Sequence, residues 1–534
     1  MADRRQLGAF YTPDIVADFL ADRMVRQDDE RILEPSFGDG AFLRAILRRS
    51  AARRLSRVRL YGIEIDERTY AATPERTGGA GTELDLRCQD FLSLAPFPVD
   101  AALGNPPYVR LRNLPTEQRE RAVEAARAVL GTPMDPSGSV WMPFVLHCLR
   151  FLARGGRMAF VLPYEMTYVR YARPLWTILG ERFGRLTALR VRERIFPTIL
   201  QEVLLLLADD YGTSGGSVAF RAYDTVRDLL AERPVRTEDI PTGKIAEGRR
   251  VFSQALLAPE LRVLLNGRLR ERTEPIRRQV RFHTGYVTGD KRFFHPSDDD
   301  IRQFDLPERH LYPTLTETRS LKGAGLSTST LSERKQARLF LPDPTDLTDG
   351  ERDYVSLGEE NGVSERYKCR IRVPWFVVPG IRVPDIVLSV FSERPVLMTN
   401  NARLLASNSL LCGFLLAGNG NELAARWYTS LTLLQCEIEV HALGGGVLVL
   451  IPGETGNIRV PARIECDPVH LETIDRALRA GAISLAYGAG DRAVLERQLG
   501  LSPAETDLIR EGVATLTAWR TASRTGRRDS EAEV

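Results

Sequence analysis

The sequence predicts an α/β protein: a mostly parallel β-sheet with helices on both faces, then an irregular β-rich domain, then a helical C-terminal region. Three observations predict it. Residues from about 30 to 210 alternate short apolar runs with amphipathic stretches, the pattern of a parallel sheet covered on both faces. After about Gly248 this gives way to strand-like pieces broken by turn signals such as TGYVTGD, LPDPTDLTDG, PGIRVPD and AGNGNE. From Pro468 to Ser523 helical periodicity returns. The expected division is 1–248, 249–466 and 467–534, in keeping with a 534-residue chain, too long for one ordinary core.

In order, the strand-like runs are Ile32–Glu34, Val58–Glu64, Leu84–Cys88, Ala101–Leu103, Met158–Leu162, Leu186–Val191 and Val203–Leu207. Helical patterns such as Ala41–Leu55 and Val140–Ala153 lie between them. YGTSGGS, at 211–217, reads as a turn or short connector. Near the C-terminus, Val469–Ala480 and Arg492–Leu499 read as helices, and a further helix starts near Ser502. There SPAE places Pro at the first helical position and Glu three residues after Ser, a capping-box signature. The polar residues from about Arg524 are expected to fray.

Composition narrows the class. Hydrophobic residues make up 43% and charged residues 27%, as in a globular enzyme and unlike a disordered chain. The 73 Lys plus Arg nearly cancel the 70 Asp plus Glu, and only five of the basic residues are Lys. That excess of Arg reads mainly as a coding bias; phosphate binding requires clustering. No apolar run approaches the roughly 18 residues of a membrane span, and MADRRQLGAF has no signal-peptide core. The six Cys form no C-x-x-C pair and the six His no H-x-x-x-H pair, so neither a disulfide framework nor a metal site is indicated. A cytoplasmic, metal-free protein is expected.

Four segments, each at the end of an apolar run, carry chemistry. LEPSFGDGAF (33–42) joins a strand to a helix; Gly38 and Gly40 allow close backbone approach, and the helix start offers free N–H groups. YGIEID (61–66) places Glu64 about 25 residues further on, where an acid can bind two ribose hydroxyls. CQDFL (88–92) offers Asp90 as an acceptor for an amino group and Phe91 as a stacking ring. GNPPY (104–108) decides the matter. Its two prolines fix the backbone and push Asn105 to an extended conformation. The Asn105 amide oxygen and the Pro106 carbonyl can then converge on the two hydrogens of a planar amine, localising its lone pair. Tyr108 offers a π face to the ring.

This ordered set resembles the class I S-adenosylmethionine-dependent methyltransferases, and NPPY is similar to the catalytic motif of adenine-N6 DNA methyltransferases. LGAFYTP (7–13) resembles the N-terminal cofactor segment of their gamma arrangement, in which a target-recognition domain follows catalysis. The resemblance implies a Rossmann-like sheet and S-adenosylmethionine as cofactor. It implies cofactor contacts from Tyr11, Thr12, Pro13, Glu34, Pro35, Gly38, Gly40, Glu64, Ile65, Asp90, Phe91 and Asn105. Position 34 is Glu where the family usually has Asp. It further implies catalysis by Asn105, Pro106, Pro107 and Tyr108, with Phe196, in ERIFPTILQEVLLLLAD (193–209), packing against the extruded base. The implied substrate is an adenine flipped out of double-stranded DNA.

In the second domain, RYKCRIRVPWF (366–376) carries Arg366, Lys368, Arg370 and Arg372 at alternate positions, which one face of a strand would share, with Trp375 alongside. A basic face beside aromatics suits DNA contacts. HTGYVTGDK (283–291) resembles the entry of a recognition region, and Asn400, Asn401 and Asn408 can read bases or cap turns. No nuclease is expected in the same chain, because the cofactor segment starts at about residue 7 and no nuclease motif follows. A restriction nuclease or other defence partner on a separate chain fits, and a monomer is expected. The alternatives are a methyltransferase of the same fold acting on RNA bases or protein glutamine, and an inactive DNA-binding relative.

Overall fold

The computed structural model describes residues 12–73, 82–196, 201–443, 445–462 and 467–529. The chain divides into two compact units, residues 1–256 with 522–534, and residues 257–521.

The first unit is built on one nine-stranded sheet. Its strands are β1 Glu30–Glu34, β2 Val58–Glu64, β3 Thr82–Cys88, β4 Val99–Gly104, β5 Leu152–Pro163, β6 Phe183–Val191, β7 Val203–Tyr211, β8 Ser217–Tyr223 and β9 Arg236–Pro241. They lie in the order β3-β2-β1-β4-β5-β7-β6-β8-β9. The β3-β2-β1-β4-β5 block is parallel, and β7 inserts antiparallel between β5 and β6. Helices α1 Asp14–Met24, α2 Ala41–Ala52, α3 Glu67–Ala72, α4 Thr116–Leu130, α5 Trp141–Cys148 and α6 Arg173–Arg182 connect or precede these strands. Each expected run between 30 and 210 lies in a strand of this sheet. Two strands extend the sheet beyond those runs: β8, paired on both sides, buries Val218, Phe220, Ala222 and Tyr223, and the edge strand β9 buries Ile240 alone and so carries little apolar signal.

One core cluster joins Val16, Leu20 and Met24 of α1, Ile32, Phe42, Ile46, Leu60, Leu103, Val161 and Leu205, all nearly inaccessible to solvent. Burying each such side chain contributes about 1.5–3 kcal/mol. Arg157 on β5 donates to the Met24 carbonyl at the end of α1 and to Glu30 at the start of β1, both buried. The helix is thereby tied to the sheet edge that precedes the glycine loop.

The second unit contains a four-stranded antiparallel sheet of Val280–Thr284, Leu410–Leu415, Ile386–Ser389 and Leu397–Thr399, with several two- and three-stranded ladders. The helices Pro468–Arg479 and Ile483–Gly490 do not form a third body. Their Ile474, Leu478, Ala486 and Tyr487 share one core with Ile276, Val280, Ile386 and Trp427. The segment Arg492–Leu499 lies mostly in a π-helical stretch, Asp491–Glu496. The final helix, Pro503–Asp529, opens as its sequence implies, with Ser502 Oγ accepting the Glu505 N–H and Glu505 accepting the Ser502 N–H. It stays helical past Arg524, where fraying was expected.

The expected basic strand at 366–372 does not exist. Residues Tyr367–Arg370 form a single helical turn, so the alternation of charge has no common face. Arg372 turns inward and donates to the carbonyls of Thr288 and Val287 at 2.7 and 2.6 Å. Arg366 pairs with Asp290. Trp375 packs on Phe293 with ring centroids 4.9 Å apart and donates to Glu359. Local contacts to 287–293, remote in sequence, outweigh the period-two pattern. Asn400 also serves structure: its amide bridges the carbonyls of Pro384 and Leu404 and the Thr328 hydroxyl.

Among the described residues no helix is long and apolar enough to cross a membrane.

Candidate active site

The sheet order reverses between β1 and β4, and in open α/β sheets the ligand crevice lies beyond the carboxyl ends of the strands at that point. A cavity of about 490 Å³ sits there. Its walls come from the ends of all four neighbouring strands: Glu34 to Asp39 after β1, Glu64 to Asp66 after β2, Gln89 to Leu92 after β3, and Asn105, Pro107 and Val109 after β4. Four separate motifs, spread over more than 70 residues of sequence, thus meet in one place.

The glycine loop is shaped by two left-handed residues, Gly38 at φ 55° and Gly40 at φ 81°. A side chain is strained at either position. Gly40 caps α2 and donates to the Phe37 carbonyl, while Gly38 lines the cavity. Gly40 therefore makes the turn rather than the wall.

Glu64 closes the loop from the next strand. Its Oε2 accepts the Gly38 N–H at 3.0 Å and its Oε1 the Asp66 N–H at 2.8 Å. Burial raises its pKa above the usual carboxylate value, against these two bonds, which lower it. Ile65 lines the cavity and is 46% exposed.

Asp90 is more committed than its motif suggests. It accepts the Leu92 N–H at 3.0 Å and forms an ion pair with Arg121 of α4 at 3.2 Å. Phe91 is 1% exposed and is packed by Phe144, His147 and Phe151. It forms part of the wall, with Phe144 beside it. His147 bonds the Leu94 carbonyl, and burial drops its pKa to about 4, so it is neutral and structural.

Asn105 Nδ2 donates to Thr12 Oγ1 at 3.2 Å, and Thr12 is buried. This joins the N-terminal segment to the proline motif across 93 positions and sets which end of the amide serves as acceptor. Pro13 caps α1 and Pro106 is buried; neither lines the cavity. Tyr108 donates its hydroxyl to the Val161 carbonyl at 2.9 Å, leans on the main core and does not line the cavity either. Phe196, expected beside an extruded base, is 4% exposed in that same cluster and does not line the cavity. Tyr11 lies outside the described residues. The entry to α4, at Asn113, Leu114, Pro115 and Gln118, also lines the cavity and carries no motif that could have announced it.

The fold with its pocket at this switch point is that of the class I S-adenosylmethionine-dependent methyltransferases. Residues 2–171 match the N-6 DNA Methylase family, and residues 249–495 match the family described as type II methyltransferase M.Eco57I, C-terminal domain. The chain thus carries an N-6 DNA methylase domain, followed by a segment that matches the C-terminal domain of a type II methyltransferase. It is 21% identical over 411 residues to the type II methyltransferase M.AccI of Acinetobacter calcoaceticus, covering 74% of each protein. It is 32% identical over 209 residues to M.PaeR7I of Pseudomonas aeruginosa, covering 33% of this chain and 35% of that one. A solved structure of the type IIL restriction-modification enzyme MmeI in complex with DNA shares the fold, with a TM-score of 0.53 at 11% identity over 93% of this chain and 73% of that one.

Proposed function

We propose that this protein transfers the methyl group of S-adenosylmethionine to the N6 amine of an adenine flipped out of double-stranded DNA at a specific site. The observation that carries the reading is the convergence of the glycine loop, Glu64, Asn105 and Pro107 on one cavity. The cavity has the volume of a small-ligand site. Its lining sets a strand-end carboxylate beside flat apolar walls from Ile65, Phe91, Leu92 and Phe144, which suits a nucleoside. The order of segments, from Thr12 through the cofactor loop to the proline motif and then the second unit, supports the gamma arrangement.

In this reading Glu64 accepts the ribose hydroxyls, the Gly38 loop passes beside the amino-acid portion, and Ile65 and Phe91 enclose the adenine. S-adenosylmethionine supplies, when bound, a methyl group on a sulfonium sulfur. The chain's own residues act on the target amine. The Asn105 amide oxygen and the Pro106 carbonyl accept its two hydrogens and localise its lone pair. Thr12 holds the Asn105 amide, and the prolines keep the backbone from adjusting. The surplus proton passes to solvent. No histidine lines the cavity among the described residues, and positioning with preorganised acceptors suffices. A type II enzyme of this kind fits a separate nuclease of the same site specificity, and a monomer suits an asymmetric site.

The test is methylation-sensitive sequencing of DNA from cells expressing the protein. N6-methyladenine at one recurrent sequence is expected. Its absence, with methyl transfer to RNA or protein instead, would overturn the reading.

A further inference from the structure

The segment Arg366–Val373 has an unusual division between its two sides. Its inner side is firmly held. Cys369 is fully buried, with its Sγ 3.7 Å from the Thr288 carbonyl, which also accepts from Arg372. Arg372 grips Val287 as well, Arg366 pairs with Asp290, and Trp375 packs at a tilt on Phe293 just beyond. A Cβ on Gly289 would meet Cys369 Sγ and Lys368 Cβ at 2.9 Å, so the backbones are in close contact.

Its outer side is apolar and cationic. Val373 is 99% exposed, Tyr367 64% and Ile371 58%. Lys368 and Arg370, also exposed, lie 5.5 and 5.7 Å from the Tyr367 ring centroid. The one exposed acid within the stretch 365–373 is Glu365. Three large apolar side chains held in water on a rigid base are costly for a soluble surface and mark an interaction site. The cations around them call for a polyanion with apolar surface beneath its phosphates, and for a chain read as a DNA methyltransferase that partner is duplex DNA.

We propose that Arg366–Val373 is a DNA wedge. Ile371 and Val373 insert from the minor groove against a base step and unstack it. Tyr367 covers the adjacent sugar, and Lys368 and Arg370 hold the flanking phosphates. Minor-groove proteins use aliphatic wedges flanked by basic residues in this way. Rigidity matters, because a mobile loop would fold back on itself instead of opening the stack.

The proposal rests on the reading of the protein as a DNA methyltransferase, and the two fail differently. If the wild-type chain transfers no methyl to DNA, that reading fails first. If it does, duplexes carrying the methylated site are prepared fully paired and with a single mismatch walked across the site. The full-length protein is compared with Val373→Ser and with the double variant Ile371→Ser, Val373→Ser. All changed residues are surface residues, and an unchanged thermal unfolding profile of the full chain confirms folding. The expected result is about a tenfold or greater loss of affinity for the paired duplex. At one mismatch position, where the unstacking is already done, the variants should come within about twofold of wild type. Equal losses on paired and mismatched duplexes would reduce the segment to a plain contact and overturn the wedge, as would no loss on either.

Discussion

The backbone N–H of Gly38 donates to Glu64 Oε2 at 3.0 Å, so the glycine loop after β1 and the acid at the end of β2 form one unit. The same carboxylate takes the Asp66 N–H, which leaves it oriented and half-buried, with no cation among the groups that set its pKa. Two functions follow for Glu64: it shapes the loop, and it presents acceptor lone pairs to the cavity.

Glu64→Ala should therefore weaken S-adenosylmethionine binding more than the loss of ribose contacts alone would. About 10- to 100-fold in Kd is expected from losing charge-assisted hydrogen bonds. Isothermal titration would check it; an unchanged Kd would remove Glu64 from the cofactor site.

Acid should weaken cofactor binding earlier than an ordinary carboxylate allows. The raised pKa of Glu64 means that, as pH falls, it takes up a proton before an exposed Glu does. The ionised form accepts from two hydroxyls more strongly than the protonated form, which turns one oxygen into a donor. The sign for stability is the reverse: a raised carboxyl pKa is a folding cost present above that pKa and relieved as pH falls through it. Affinity measured from neutral to mildly acid pH should decline in the wild type, and Glu64→Gln should show a weaker but flat profile.

Asn105→Ala should abolish methyl transfer, by at least about 100-fold, while largely keeping cofactor binding, because it removes an acceptor needed at the reacting amine. Near-wild-type turnover would refute the assignment. Thr12→Val keeps the shape of Thr12 but removes the oxygen that holds the Asn105 amide. Loss of that positioning should lower kcat about tenfold with little change in KM for DNA. A change in KM alone would show that Thr12 acts elsewhere.

The second unit depends on a buried ion pair. Glu437 and Arg520 side chains are 2% and 6% exposed and meet at 2.7 Å, with Thr517 also donating to Glu437. Arg520→Met leaves a buried unpaired carboxylate and should cost about 3–5 kcal/mol of stability. The double variant Glu437→Leu, Arg520→Met should recover most of that loss in thermal unfolding. Equal destabilisation of single and double variants would mean that packing, not charge, is at stake.

The cofactor half was legible because local patterns there coincide with global ones. Apolar runs buried on both faces mark strands, and a glycine loop or an acid marks each strand end. Phe91 and Phe196 show the limit of this reading, since a motif does not say how much of a ring stays free. Phe91 lines the cavity although three aromatic neighbours pack it, whereas Phe196 is absorbed in the core. The entry to α4 is silent in sequence because ordinary residues become a wall only through where the helix is placed.

By itself, the sequence determined the parallel sheet, the chemistry at its strand ends and the capping of the last helix at Ser502. All of these rest on contacts between residues near in sequence or on a repeating period. Tertiary structure alone decided how Arg366–Val373 behaves. The alternation of charge there is compatible with a strand, but strand pairing needs a partner edge. Val287, Thr288, Asp290 and Phe293 offer instead two carbonyls, a carboxylate and a ring. Those contacts close some 80 residues of chain, and their combined energy overrides a local preference worth little per residue.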